Sequence, residues 1–142
     1  MYHAGAEMTE YKGTETKCFA CGRQNPDGLQ LKFAKFDDHV EAFFDCTEKY
    51  QGWDGIIHGG IVSTLIDEVM YHAILDKPDA LTAEMTVRFM KPLRVGTKAK
   101  LMGYVDNING RIINTRGEIY DENGVLIAKG TARYMIVRKD SM

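Results

Sequence analysis

His58, Gly59 and Gly60 open an apolar stretch that carries two adjacent carboxylates, Asp67 and Glu68. Paired glycines at the start of a helix leave backbone N–H groups without intrahelical partners and without side chains in front of them, so a carbonyl or an anion can approach. A carboxylate about two turns further on can take a proton from water or attack an electrophile itself. Together, and with a cleft between them, the two features could polarise a carbonyl and supply a base. The alternative is plain architecture: a turn, a helix start and a solvated helix edge.

Periodicity shows which elements must hold these residues. Val62, Leu65, Ile66, Val69 and Ala73 recur at helical spacing, which predicts a helix from Gly59 to about Leu75, ended by Lys77-Pro78-Asp79. Met70, Tyr71 and Ile74 fall roughly opposite that stripe, so the helix is apolar most of the way round and needs cover on a second side. A second copy of the chain is the expected cover, with Asp67 on that side beside Ser63, Met70 and Ile74.

Upstream, Asn25-Pro26-Asp27-Gly28 is strong turn chemistry, and "LQLKFAKF" and "HVEAFFDC" alternate at period two as a hairpin. Downstream, "LTAEMTVRFM", "KAKLMGYVDNI", "RIINTRGEIY" and "VLIAKGTARYMIV" read as four strands in a meander, with Asn109-Gly110 and Asn123-Gly124 as hairpin turns. On one face the last two strands carry Thr115, Gly117, Ala128, Gly130 and Ala132, small residues that let a helix lie close. The expected class is α+β with an antiparallel sheet.

A chain of 142 residues with three prolines predicts a loose lead-in over residues 1–17 and a single domain over 18–142. Hydrophobic and charged fractions of 44% and 27% are those of a soluble globular protein. The formal charge of −2, with basic residues scattered, gives no nucleic-acid footprint. No stretch reaches the roughly 20 apolar residues of a membrane span. The N-terminal segment lacks an apolar signal core, so a cytoplasmic location is expected.

Three cysteines are an odd count, against a disulfide framework. Cys18 and Cys21 form one C-x-x-C, and His39 and Cys46 could complete four zinc ligands, though at no standard spacing. The expected role is a turn anchored by small buried thiols, with no metal. His72 reads as a packing or surface residue. Tyr50 and Trp53 could line a pocket or simply pack.

The stretch "HGGIVSTLIDE", with its acid nine positions after the histidine, resembles the HotDog-fold acyl-CoA thioesterases, specifically their phenylacetate-pathway (PaaI-type) branch. The strand "LTAEMTVRFMKPLRVG" and the hairpin "NGRIINTRGEIYDENGVLIAKGTARY" carry the likeness on, over about residues 18–137. The resemblance implies a long central helix wrapped by a curved antiparallel sheet. Two copies would join edge to edge into a continuous sheet, as a homodimer or a homotetramer (dimer of dimers). It implies hydrolysis of an acyl-CoA to a carboxylic acid and free CoA, with no cofactor and no metal, since a thioester is already activated.

By position, Gly59 would offer its N–H to the thioester carbonyl, and Asp67 would be the general base or nucleophile. Thr82 would hold the lytic water, and His58 would steady the loop before the helix. Gly60 and Gln51 would border the carbonyl, while Phe89, Asn109, Gly110 and Arg111 would contact CoA, Arg111 at a phosphate. The acid and the donor serving one substrate would come from different subunits. One departure stands out: several relatives carry Asn or Gln shortly before His-Gly-Gly, where this chain has Gly52, with Gln51 adjacent. Glu68 is a competing carboxylate. A non-catalytic acyl-CoA binder, a hydratase acting on acyl thioesters and a structural dimerisation domain are the other readings.

Overall fold

In the computed structural model, which describes residues 7–9, 16–76 and 79–137, the helical stripe forms α1, Gly59–Ala73. The expected stop at Lys77-Pro78 lies outside the described residues. Seven strands accompany it: β1 Glu7–Thr9, β2 Phe33–Lys35, β3 Val40–Asp45, β4 Ala80–Phe89, β5 Lys98–Asn109, β6 Ile112–Tyr120 and β7 Leu126–Ile136. They make one antiparallel sheet in the order β1-β2-β3-β5-β6-β7-β4. A single long helix on a curved antiparallel sheet is the HotDog fold. Most of the expected lead-in lies outside the described residues; Glu7–Thr9 pairs with β2.

The expected four-strand meander holds only for β5, β6 and β7. Gly110 (φ 63°) and Gly124 (φ 78°) take the left-handed conformation in the two connecting turns. β4 instead pairs with the far side of β7 and ends the sheet. No Asn-Gly turn follows it: the chain runs on through Lys91-Pro92 and crosses beneath the start of α1, where Leu93 C=O accepts from Ile57 N–H at 2.8 Å. The first hairpin is also shorter than its alternation suggests. Gln30 is left-handed (φ 51°), and Leu29 and Leu31 N–H donate to Phe19 and Ala20 carbonyls rather than to β3.

The helix lies directly on three glycines that sit side by side on neighbouring strands, Gly103 opposite Gly117 and Gly117 opposite Gly130. A Cβ on Gly103 would stand 2.1 Å from the Val69 carbonyl oxygen, and one on Gly130 would stand 2.6 Å from Ile66 Cγ2. At Gly103 and Gly130 no side chain fits between helix and sheet. Because α1 sinks this far, one chain covers more of it than the stripe predicts. Val62, Leu65, Ile66, Val69, Met70 and Ile74 are all buried, in one cluster with Cys21, Leu29, Leu31 and Phe33. The expectation that Met70 and Ile74 face a second copy is therefore corrected: both are buried within one chain, Met70 against Gly117 of β6. Beyond the exposed Gly59 and Gly60, α1 leaves Ile61, Ser63, Thr64, Asp67, Tyr71 and Ala73 partly open.

Candidate functional site

His58 begins α1 as its N-cap. Its Nδ1 accepts the Gly60 N–H at 2.8 Å, and its carbonyl accepts from Ile61 and Val62. The histidine is thus a side-chain cap, in a role more often filled by Ser, Thr, Asp or Asn. With the Gly60 N–H committed to His58, Gly59 carries the N–H at the helix start that has no partner among the described residues. Phe89 lies over Gly59, its ring carbons 3.7 and 3.8 Å from where a Cβ would be.

The Gly52 departure has a steric reason. A Cβ there would lie 3.0 Å from the His58 ring and 3.2 Å from its Cα. Gln51 turns its side-chain oxygen to the Gly55 N–H at 3.1 Å, within its own loop.

Asp67 projects from the open side of α1. Its Oδ1 accepts the Tyr134 hydroxyl at 3.0 Å and the Thr82 hydroxyl at 3.3 Å. Tyr134 also donates to the Asp67 backbone carbonyl at 3.0 Å, so one buried phenol grips both ends of the residue. Burial raises the Asp67 carboxyl above its ordinary value; the Tyr134 hydrogen bond opposes this and the charge of Glu68 adds to it. Burial, then the neighbouring Asp67 charge, push the Tyr134 hydroxyl up, so it stays a donor. Among the described residues Oδ2 accepts no hydrogen bond, which leaves one carboxylate oxygen for chemistry.

Tyr134 is the site residue that sequence reasoning passed over. The signal was present: it continues the buried series Ala128, Gly130, Ala132 at period two. A tyrosine in such a row must find a partner for its hydroxyl.

The remaining expected residues are spread out. Gly59 and Asp67 are eight residues apart in α1, about 12 Å along its axis. Phe89 is opposite Ala128 on β7, whereas Arg111 donates through Nε and Nη2 to the Ile136 carbonyl at 3.2 and 2.9 Å. Those two β7 positions are separated by about 26 Å of strand. The structure thus joins Asp67 to Thr82, and His58, Gly59 and Gly60 to Phe89. Asn109, Gly110 and Arg111 stand apart at the β5–β6 turn.

β4 explains where the missing proximity can come from. Among the described residues its outer edge pairs with no other strand, and Leu81, Phe89 and Met90 are 51%, 56% and 46% exposed on it or just beyond its end. A long edge strand with exposed apolar side chains is a surface that proteins normally cover.

Comparison with known proteins gives one consistent picture. A sequence model of the thioesterase superfamily matches residues 54–128. A "Putative esterase" of Saccharolobus solfataricus is 31% identical over 115 residues, 78% of this chain and 76% of that protein. Acyl-coenzyme A thioesterase THEM4 of Mus musculus is 27% identical over 93 residues, 63% of this chain and 40% of that protein. The crystal structure of the thioesterase superfamily protein RHA08564 superposes with a TM-score of 0.79 at 24% identity, covering 84% of this chain and 60% of that one, a likeness of fold.

Proposed function

From the premise that this chain belongs to the thioesterase superfamily, we propose that it hydrolyses an acyl-CoA to a carboxylic acid and free CoA, in the manner of the PaaI-type branch. The observation that carries this is Asp67: a half-buried carboxylate on the open side of α1, with Oδ1 held by Tyr134 and Thr82 and Oδ2 uncommitted. In the proposed step Oδ2 takes a proton from water, the water oxygen bonds to the thioester carbon, and the C–S bond breaks. The CoA thiolate leaves and is protonated. A backbone N–H of Gly59 stabilises the carbonyl oxygen as charge builds on it. If Asp67 attacks directly, the same residues serve and water then cleaves the anhydride.

Both groups must lie within about 3 Å of their reacting atoms. The roughly 12 Å between them in one chain supports a site shared by two copies. In this proposal two β4 edges pair into a continuous sheet, setting Asp67 of one chain against Gly59 of the other, with Phe89 near the acyl thioester. Arg111 uses the guanidinium nitrogen left over from Ile136, Nη1, on a CoA phosphate. A soluble cytoplasmic protein, where acyl-CoA is found, is part of the same reading. Among the described residues no helix is long and apolar enough to cross a membrane.

The test is thiol release from short, medium, long and aryl acyl-CoAs, with Asp67→Asn beside the wild type. Wild-type turnover that vanishes in the variant supports the proposal; full activity in the variant sinks it. An acyl-CoA that raises Tm without any thiol release would identify a binder instead.

Complementation tests the shared site. Gly59→Pro removes the N–H, and the position accepts proline because it is the first helical residue and His58 before it is extended (φ −56°, ψ 135°). Refolding Asp67→Asn together with Gly59→Pro should restore activity that neither has alone. No rescue would place the whole site within one chain.

A further inference from the structure

Glu68 faces away from Asp67, into the sealed side of the helix, and meets Cys18 and Cys21 there. The two sulfurs and a Glu68 carboxylate oxygen all lie within 4.8 Å of one another. Cys21 and Glu68 are buried, and Cys18, half-buried, is the most exposed of the three. One helical turn on, His72 sets Nε2 3.4 Å from Glu68 Oε1. Its ring is buried and stacked on Phe33 with centroids 3.6 Å apart.

The turn that presents the cysteines is built tightly. Gly22 N–H donates to the Cys18 carbonyl at 2.9 Å, and Gln24 N–H to the Thr16 carbonyl at 3.2 Å. A Cβ on Gly22 would fall 2.4 Å from both Cys18 N and Thr16 O, so only glycine lets this loop close. The neighbouring Leu29 and Leu31 N–H groups tie back to Phe19 and Ala20, fixing the loop to the segment that covers α1.

We propose that Cys18, Cys21 and Glu68 bind a thiophilic divalent cation of the zinc class, with His72 orienting the Glu68 carboxylate from behind. Two thiols and a carboxylate are a zinc donor set, and sulfur selects against calcium and magnesium. Thiolates at about 2.3 Å from a tetrahedral ion lie about 3.8 Å apart, so the donors need contract by only about 1 Å. The half-buried Cys18 can supply that movement. Binding releases the two thiol protons to solvent, so that two thiolates and the Glu68 carboxylate surround one cation. This also answers an electrostatic question, because among the described residues His72 is the only basic side chain in ion-pair reach of buried Glu68. His39 and Cys46, the other ligands the sequence suggested, do not join the cluster. The ion would clip residues 18–31 to the helix, and binding the folded chain alone would stabilise it.

The test uses the full chain kept reduced with a phosphine, loaded with zinc or cobalt(II) and desalted. The expected result is retained zinc, a higher Tm that a chelator reverses, and sulfur-to-cobalt charge-transfer absorption in the near ultraviolet. Cys18→Ser and Cys21→Ser should lose that absorption, and His72→Gln should weaken binding about 10- to 100-fold. Cys46→Ser should keep it. A wild type that retains no metal and shows no charge-transfer band overturns the proposal even if the cysteine variants fail to fold. So does a band that survives loss of both Cys18 and Cys21.

Discussion

Asp67 and Glu68 are neighbours in the chain, yet the helix sends them into opposite surroundings. Asp67 looks out beside an uncovered edge strand, held by two hydroxyls and with one oxygen to spare. Glu68 looks in, against two thiols and an imidazole, and is 9% exposed. One turn of backbone thus carries a carboxylate left open and a carboxylate closed in. Residue type did not separate them. What separates them is how deeply the glycine row lets α1 settle, and which segment then closes over each side.

The largest effects should come from breaking the pair one member at a time. Asp67→Asn should cut turnover by roughly 100- to 10,000-fold with little change in Tm. Glu68→Gln should do the reverse, lowering Tm and metal retention while costing turnover far less. Equal losses of turnover in both would erase the distinction between the two faces.

Gly103→Ala should move both faces at once. With the Val69 carbonyl only 2.1 Å from the new methyl, a loss of about 3 kcal/mol or more in urea unfolding is expected. Gly117→Ala meets Met70 Cγ at 3.0 Å, the flexible part of a side chain, and should cost about 1 kcal/mol.

Tyr134→Phe sharpens the description of the open face. Losing the hydroxyl removes hydrogen bonds to both the carboxylate and the backbone of Asp67. Turnover should fall about tenfold and stability by about 1 kcal/mol. Thr82→Ala, which removes one exposed and longer hydrogen bond, should cost about threefold or less.

The smallest effect belongs to neither face and serves as a control. His39 contacts Asp38 at 2.6 Å and Glu41 at 2.7 Å, between the rings of Phe36 and Tyr104; Lys100 reaches Glu41 and Arg116 lies on Tyr104. Burial alone would pull its pKa down, but Glu41 and Asp38 raise it overall. Stability from a raised histidine is complete below the unfolded value of about 6.5 and is lost as pH rises through the folded value. His39→Gln should therefore lower Tm more at about pH 6 than at about pH 9, with turnover and metal retention unmoved. A Tm difference that is the same at both pH values would remove His39 from the ionic group.

The sequence showed those features whose cause is local. The α1 stripe is a 3.6-residue period, and the β5–β6 and β6–β7 turns are Asn-Gly pairs, so both could be read directly. The place of β4 beyond β7 could not, since strand order depends on where the crossover after Phe89 lands. The same holds for the sites. Asp67 was visible from its spacing to His58, but Tyr134 lies 67 residues further on and meets it only through the sheet. Cys18 and Cys21 read as a turn anchored by buried thiols, because Glu68, the carboxylate they meet, is a whole hairpin away and stands in the sequence only as a rival to Asp67. Gly103 went unnoticed because its importance lies in the Val69 carbonyl above it.

The glycine row has a mechanical consequence. A floor of backbone hydrogens fixes how low α1 rides, and the buried Ile66 and Val69 side chains meet it directly. On the open flank the Tyr134 hydroxyl adds a hook on the Asp67 carbonyl. The phenol that holds the carboxylate thus also ties the helix to β7. Any change at residue 134 made to alter the site will therefore also remove that tie.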